Sequence, residues 1–143
     1  MAQVKLITIE AIKYLAHTLT TKTMSYDEKI PEFDTHYPNV LESCIATPFQ
    51  GYDKKSLYQG LAGKGAILFY LLIKNHPFQN GNKRIAVTAL LVFLYINNKW
   101  LKVDNAFLYN TALWIAKSPA EAKEESIAYM EKFIRQNIKG YSR

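Results

Sequence analysis

Two apolar stretches, residues 66–73 and 85–96, flank a polar and cationic junction, Asn75-His76-Pro77-Phe78-Gln79-Asn80-Gly81-Asn82-Lys83-Arg84. Both stretches read at helical spacing, and the first is apolar on every side, the mark of a helix buried all round. Both fall well short of the ~20 residues that a membrane span needs. The pair is therefore expected at the centre of a helical core, with the junction as the corner between them. At 143 residues and 49% apolar, the chain can build such a core as a single domain over 1–143. With 21% charged residues it is not a disordered tail.

The remaining pattern is helical almost throughout. Ile9, Ile12, Leu15, Ala16 and Leu19 recur at helix spacing behind Thr8, a good N-cap. Residues 20–38, with Pro31 and Pro38, predict a long loop, followed by a short helix over 39–46 that turns Val40, Leu41, Cys44 and Ile45 inward. Residues 47–55 predict an irregular segment with at most a short β-hairpin, and Ser56 is placed to cap a helix over 57–74. The small residues Gly60, Ala62, Gly63, Gly65 and Ala66 cost that helix propensity and predict close packing by another backbone. His76-Pro77 ends it, because the residue before a proline is biased out of the helical region.

The next helix spans 82–96 and closes at Asn97-Asn98. Asp104 caps a helix over 105–117 with Phe107, Leu108, Ala112 and Ile115 as its buried stripe. Ser118-Pro119-Ala120-Glu121 reads as a capping box for a last helix whose inner face is Ile127, Met130, Phe133 and Ile134. The expectation is an all-α bundle of about six helices around a central apolar pair.

Lysine and arginine number 18 against 12 acidic residues, a net charge of +6. From residue 54 to 103 there is no Asp or Glu, whereas Lys54, Lys55, Lys64, Lys74, Lys83, Arg84, Lys99 and Lys102 all fall there. Such surroundings favour an anionic ligand at the junction and leave no carboxylate within the segment for a metal. The ten tyrosines and the excess lysine come with no nucleic-acid-binding signature, so no specific nucleic acid is expected. Gly60-Leu61-Ala62-Gly63-Lys64-Gly65 fails the spacing of a phosphate loop. Cys44 stands alone, which excludes an internal disulfide, and the first ten residues lack a secretory pattern; a cytoplasmic setting is expected.

The junction leads directly into a helix start. Helix N-termini expose unpaired N–H groups and a partial positive charge, and so bind phosphate. Gly81 lets backbone approach an oxyanion closely, and Arg84 offers a bidentate contact. Residues 76–84, H-P-F-Q-N-G-N-K-R, resemble the Fic motif H-x-F-x-(D/E)-(G/A)-N-(G/K)-R of the Fic/Doc superfamily. The preceding L-L-I-K-N, the apolar helix that follows and the Leu41-Glu42-Ser43 segment resemble its death-on-curing (Doc) branch, and the similarity runs over most of 31–138.

The resemblance implies an ATP-dependent transferase that modifies a hydroxyl of a target protein. His76 would be the general base, Phe78 a buried anchor, and Asn80, Gly81, Asn82, Lys83 and Arg84 the nucleotide-phosphate site. Lys83 and Arg84 would also serve the catalytic step. Lysine at position 83 resembles the phosphoryl-transferring toxins, in contrast to the glycine usual in AMP-transferring members, and Val87 replaces a second arginine common in the latter.

Asn80 stands where the family carries the carboxylate that holds Mg²⁺. An amide oxygen can ligate a hard cation but brings no charge, which lowers the expected metal affinity. The alternative reading is thus a catalytically weakened nucleotide- or protein-binding module. By resemblance, the 47–55 loop would be a flap that pairs with the target peptide, and the target would be of the translation elongation factor type. The family's self-inhibitory pattern (S/T)-x-x-x-E-(G/N) is not in the sequence, so inhibition would fall to a separate antitoxin.

Overall fold

Thr8 caps the first helix as its sequence position requires: its Oγ1 accepts the Ala11 N–H at 3.1 Å. A computed structural model of the chain describes residues 4–21, 37–52, 55–78 and 81–140. Helix α1 (Ile9–Thr21) runs two residues past Leu19. Most of the expected long loop, residues 22–36, lies outside the described residues. Helix α2 (Pro38–Ala46) opens on proline, whose missing N–H is no loss in a first turn, and buries Leu41, Cys44 and Ile45.

A 3₁₀ turn (Thr47–Phe49) then leads into strands β1 (Gly51–Tyr52) and β2 (Lys55–Ser56), which pair antiparallel as Gly51↔Ser56 and Tyr52↔Lys55. The short hairpin is present. Helix α3 (Gly60–Lys74) begins three residues later than the sequence suggests. Ser56 belongs to β2, the N-cap of α3 is Gln59, and Leu57 is 56% exposed, because the closing hairpin pulls both residues away from the helix axis.

Helix α4 (Asn82–Ile96) has the expected bounds. At its end the Asn97 carboxamide donates to the carbonyls of Phe93 and Lys5 and accepts from the Lys5 N–H, which pins the N-terminal segment to the bundle. Helix α5 (Asn105–Lys117) is capped by Asp104, whose carboxylate accepts the Ala106 N–H at 3.0 Å. Helix α6 (Lys123–Asn137) completes the six.

Two expectations fail around α5. Phe107 is 47% exposed, and Thr111 takes the inward place beside Leu108, Ala112 and Ile115. At 100° per residue, position 107 lies one step off that stripe, and its ring stacks instead on Phe133 at 5.3 Å. The capping box also does not form. The Ser118 hydroxyl donates back to the Ile115 carbonyl at 2.6 Å, closing α5, and a 3₁₀ turn (Ala120–Ala122) intervenes before α6.

Strands β3 (Lys99–Leu101) and β4 (Ile138–Gly140) form a second antiparallel ribbon, with Trp100↔Lys139 at its middle. The ribbon is not foreseeable from the chain alone, since three-residue strands are too short to show alternation.

α3 is the axis of the bundle. It is buried from Ala62 to Ile73 and packs on α4, α5 and α6. A Cβ at Gly65 would come within 3.2 Å of Leu90 and 3.4 Å of Ile134. A Cβ at Gly63 would come within 3.3 Å of the Tyr58 backbone. The small residues thus admit side chains of two neighbouring helices at one position and, most closely, the Tyr58 backbone at the other. Phe69, Phe78 and Phe93 are fully buried, each contributing on the order of 2–3 kcal/mol by apolar area. No described helix is long and apolar enough to cross a membrane.

Candidate functional site

The corner between α3 and α4 is shaped by two left-handed residues. His76 has φ 50° and Gly81 has φ 74°. Glycine adopts that conformation freely; histidine does so at a strain of on the order of 1–2 kcal/mol, and persists there only where its surroundings over-determine it. The surroundings do. Asn75 closes α3 through its N–H to the Leu71 carbonyl at 2.9 Å, Pro77 is buried and accepts the Tyr37 N–H at 2.7 Å, and the Phe78 ring is sunk in the core.

Asn82 ties the corner shut. Its Oδ1 accepts the Phe78 N–H and its Nδ2 donates to the Phe78 carbonyl, both at 2.9 Å, so the peptide polar groups of the anchor residue are satisfied inside the turn. The same Nδ2 lies 3.5 Å from His76 Nδ1, at the outer edge of hydrogen-bond length. At that length the contact is too weak to assign the tautomer of the exposed imidazole. Of the phosphate-binding roles expected of Asn82, its side chain is thus spent on holding the turn; its backbone opens the helix.

Gly81 is the N-cap of α4 and supplies no capping side chain, and the first turn of α4 carries no acidic residue. Lys83 and Arg84 are half-buried in that turn. The N–H groups of the helix start, the helix dipole and two cations therefore share one small region. Lys74, by contrast, is committed to structure: its Nζ donates to the Ser118 carbonyl at 2.6 Å at the end of α5.

A cavity of about 330 Å³ opens beside Arg84, walled by Val87 and Thr88 of α4 and by Asn105, Tyr109 and Asn110 of α5. Sequence reasoning missed the α5 wall. Its residues are unremarkable in order and acquire meaning only when α5 packs on α4.

Asn80, the expected metal ligand and phosphate contact, lies outside the described residues. Among the described residues no group of three or more His, Cys, Asp or Glu could hold a metal. The described side chains at the corner offer imidazole, amide, ammonium and guanidinium groups, a set that does not fit a tightly held divalent cation, whose partners are anionic oxygens. Cys44 is fully buried, and burial pushes its thiol up to about 12 against the lowering effect of Asn75, so it is inert as a nucleophile at ordinary pH.

A family model described as Fic/DOC family matches residues 6–94, which takes in α1 to the last turns of α4 and the whole of the corner. Comparison with curated proteins and with solved structures returns no match.

Proposed function

Because the chain belongs to the Fic/DOC family, whose members are typically nucleotide-using transferases, we propose that it moves the γ-phosphoryl group of ATP onto a hydroxyl of a target protein. The observation that carries the reading is the glycine-capped start of α4, with Lys83 and Arg84 and no acidic residue in its first turn, and with His76 Nδ1 3.5 Å from the Asn82 carboxamide. In this scheme the N–H groups of the α4 start and the Arg84 guanidinium hold the phosphate oxygens in line. The target oxygen attacks the γ-phosphorus while an imidazole nitrogen of His76 takes its proton. The new O–P bond forms as the bond from phosphorus to the β,γ-bridging oxygen breaks, and ADP leaves with that electron pair. Lys83 offsets the charge that gathers on the transferred group.

Two features support phosphoryl over AMP transfer. Lys83 occupies the motif position where AMP-transferring members usually have glycine. Val87, in place of a second arginine, gives the cavity beside Arg84 an apolar wall suited to a nucleoside and not to further phosphate. The hairpin β1–β2 would receive the target segment by main-chain pairing, and a translation elongation factor is the first candidate target. The absence of a motif carboxylate favours a second reading, a binding module that has lost turnover; there Asn80→Asp would gain activity over a silent native protein.

Intact-mass measurement of a purified elongation factor after incubation with ATP separates the readings. Phosphoryl transfer adds one phosphate and is lost in His76→Ala. Addition of a nucleotide mass, or no addition with the native protein, contradicts it.

A further inference from the structure

A buried lysine sits under both ends of the β1–β2 hairpin. Lys64, on α3, is only 8% exposed, and its Nζ donates to the Tyr58 carbonyl at 2.7 Å. The same ammonium lies 5.6 Å from the centre of the Phe49 ring, within cation–π range. Phe49 precedes the hairpin and Tyr58 follows it. Phe49 is in turn held edge-on against Phe93 of α4, centroids 6.4 Å apart. One residue before Lys64, Gly63 leaves room for the Tyr58 backbone, which any Cβ there would crowd at 3.3 Å.

The hairpin needs such an anchor. Each strand has two residues, and the Leu57 N–H to Gln50 carbonyl bond at 3.0 Å closes its base. Two-stranded ribbons of this size are not stable alone in water. A purely packing role at position 64 would be met by leucine or methionine, without the desolvation that a buried ammonium carries. That burial lowers the Lys64 pKa, the direction expected of a charge withdrawn from water.

We propose that Lys64 is a positioning residue: it clamps the two feet of the 51–56 hairpin to α3 and so fixes the angle at which the hairpin meets a target segment. The role rests on the reading that the hairpin receives the target, and the clamp itself can be measured without any substrate.

The test compares Lys64→Met, which keeps the stem volume and removes the charge, with Lys64→Arg, which keeps a charged donor. Thermal unfolding first establishes that Lys64→Met folds with an unchanged or raised midpoint. Hydrogen exchange then reads the clamp: amides of 51–57 should exchange at least about five-fold faster in Lys64→Met, recover in Lys64→Arg, and leave those of α4 unaffected. With γ-labelled ATP and purified elongation factor, KM for the factor should rise about ten-fold in Lys64→Met while kcat changes less than about two-fold.

Hairpin exchange equal to the native protein in Lys64→Met overturns the clamp. Faster exchange with an unchanged KM overturns its role toward the target. A native protein that transfers nothing to the factor sinks that target role together with the proposed function, while the exchange comparison still decides the clamp.

Discussion

The α3–α4 corner and the α5–α6 corner each turn the chain between two packed helices, yet their helix starts meet the same electrostatic problem in opposite ways. α6 carries Glu124 and Glu125 in its first turn, so its partial positive charge is offset from within. α4 starts on a left-handed glycine with no side-chain cap and no acidic residue, and places Lys83 and Arg84 where the helix dipole repels them. The α5–α6 turn spends its serine on the preceding helix and passes through an ordinary 3₁₀ turn. The α3–α4 turn holds His76 in a left-handed conformation and spends the Asn82 carboxamide on both backbone groups of Phe78. The α4 start thus carries two cations and no acidic residue in its first turn, the feature on which the proposed anion site rests.

The largest expected effect tests that contrast at the reacting group. His76→Ala should lower phosphoryl transfer by about 10²–10⁴-fold, the range for loss of a general base, with little change in thermal midpoint. Labelled ATP and a purified target read the first quantity, and circular dichroism the second. Next comes Arg84→Ala, which should weaken ATP binding about ten- to a hundred-fold through loss of a charged contact, measured by calorimetry. Its counterpart at the other corner, Lys123→Ala, should leave binding unchanged. Equal losses at both corners would erase the distinction.

Asn82→Ala should lower stability by about 2–3 kcal/mol, because the N–H and carbonyl of buried Phe78 lose their partner together; urea unfolding measures it. Ser118→Ala, which removes one hydroxyl bond, should cost about 1 kcal/mol or less in the same assay. The smallest effect belongs to Glu124→Gln with Glu125→Gln, which should destabilise by a total of about 0.5–1.5 kcal/mol at low salt and lose that effect in high salt.

The sequence made the bundle readable wherever a periodic apolar face met a clear stop. α4 has both, and its bounds emerge unchanged. α3 has the face but a false start at Ser56, since nothing local shows that the hairpin claims that serine. The Ser118-Pro119-Ala120-Glu121 string carries the letters of a capping box, yet the hydroxyl had a nearer acceptor in the Ile115 carbonyl. The β3–β4 ribbon depends on bringing residue 100 beside residue 139, a long-range pairing invisible in either segment alone.

At the candidate site, residues 76–78 and 81–84 fall on one corner because they are nearly continuous in the chain, while 79 and 80 lie outside the described residues. The α5 wall of the cavity and the Lys64 clamp were not legible in the sequence. Tyr109 and Asn110 become part of the site only by packing, and Lys64 in a small-residue helix looks like any surface lysine until its burial is seen.

The start of α4 is the proposed seat of the nucleotide's phosphates. Titrating a ¹⁵N-labelled sample with a non-hydrolysable ATP analogue and following the amide resonances tests it directly. Shifts concentrated at Gly81, Asn82, Lys83 and Arg84, accompanied by the His76 ring signals and absent at Lys123, Glu124 and Glu125, are the result predicted. Shifts spread over α6, or none at the α3–α4 corner at saturating analogue, would contradict it.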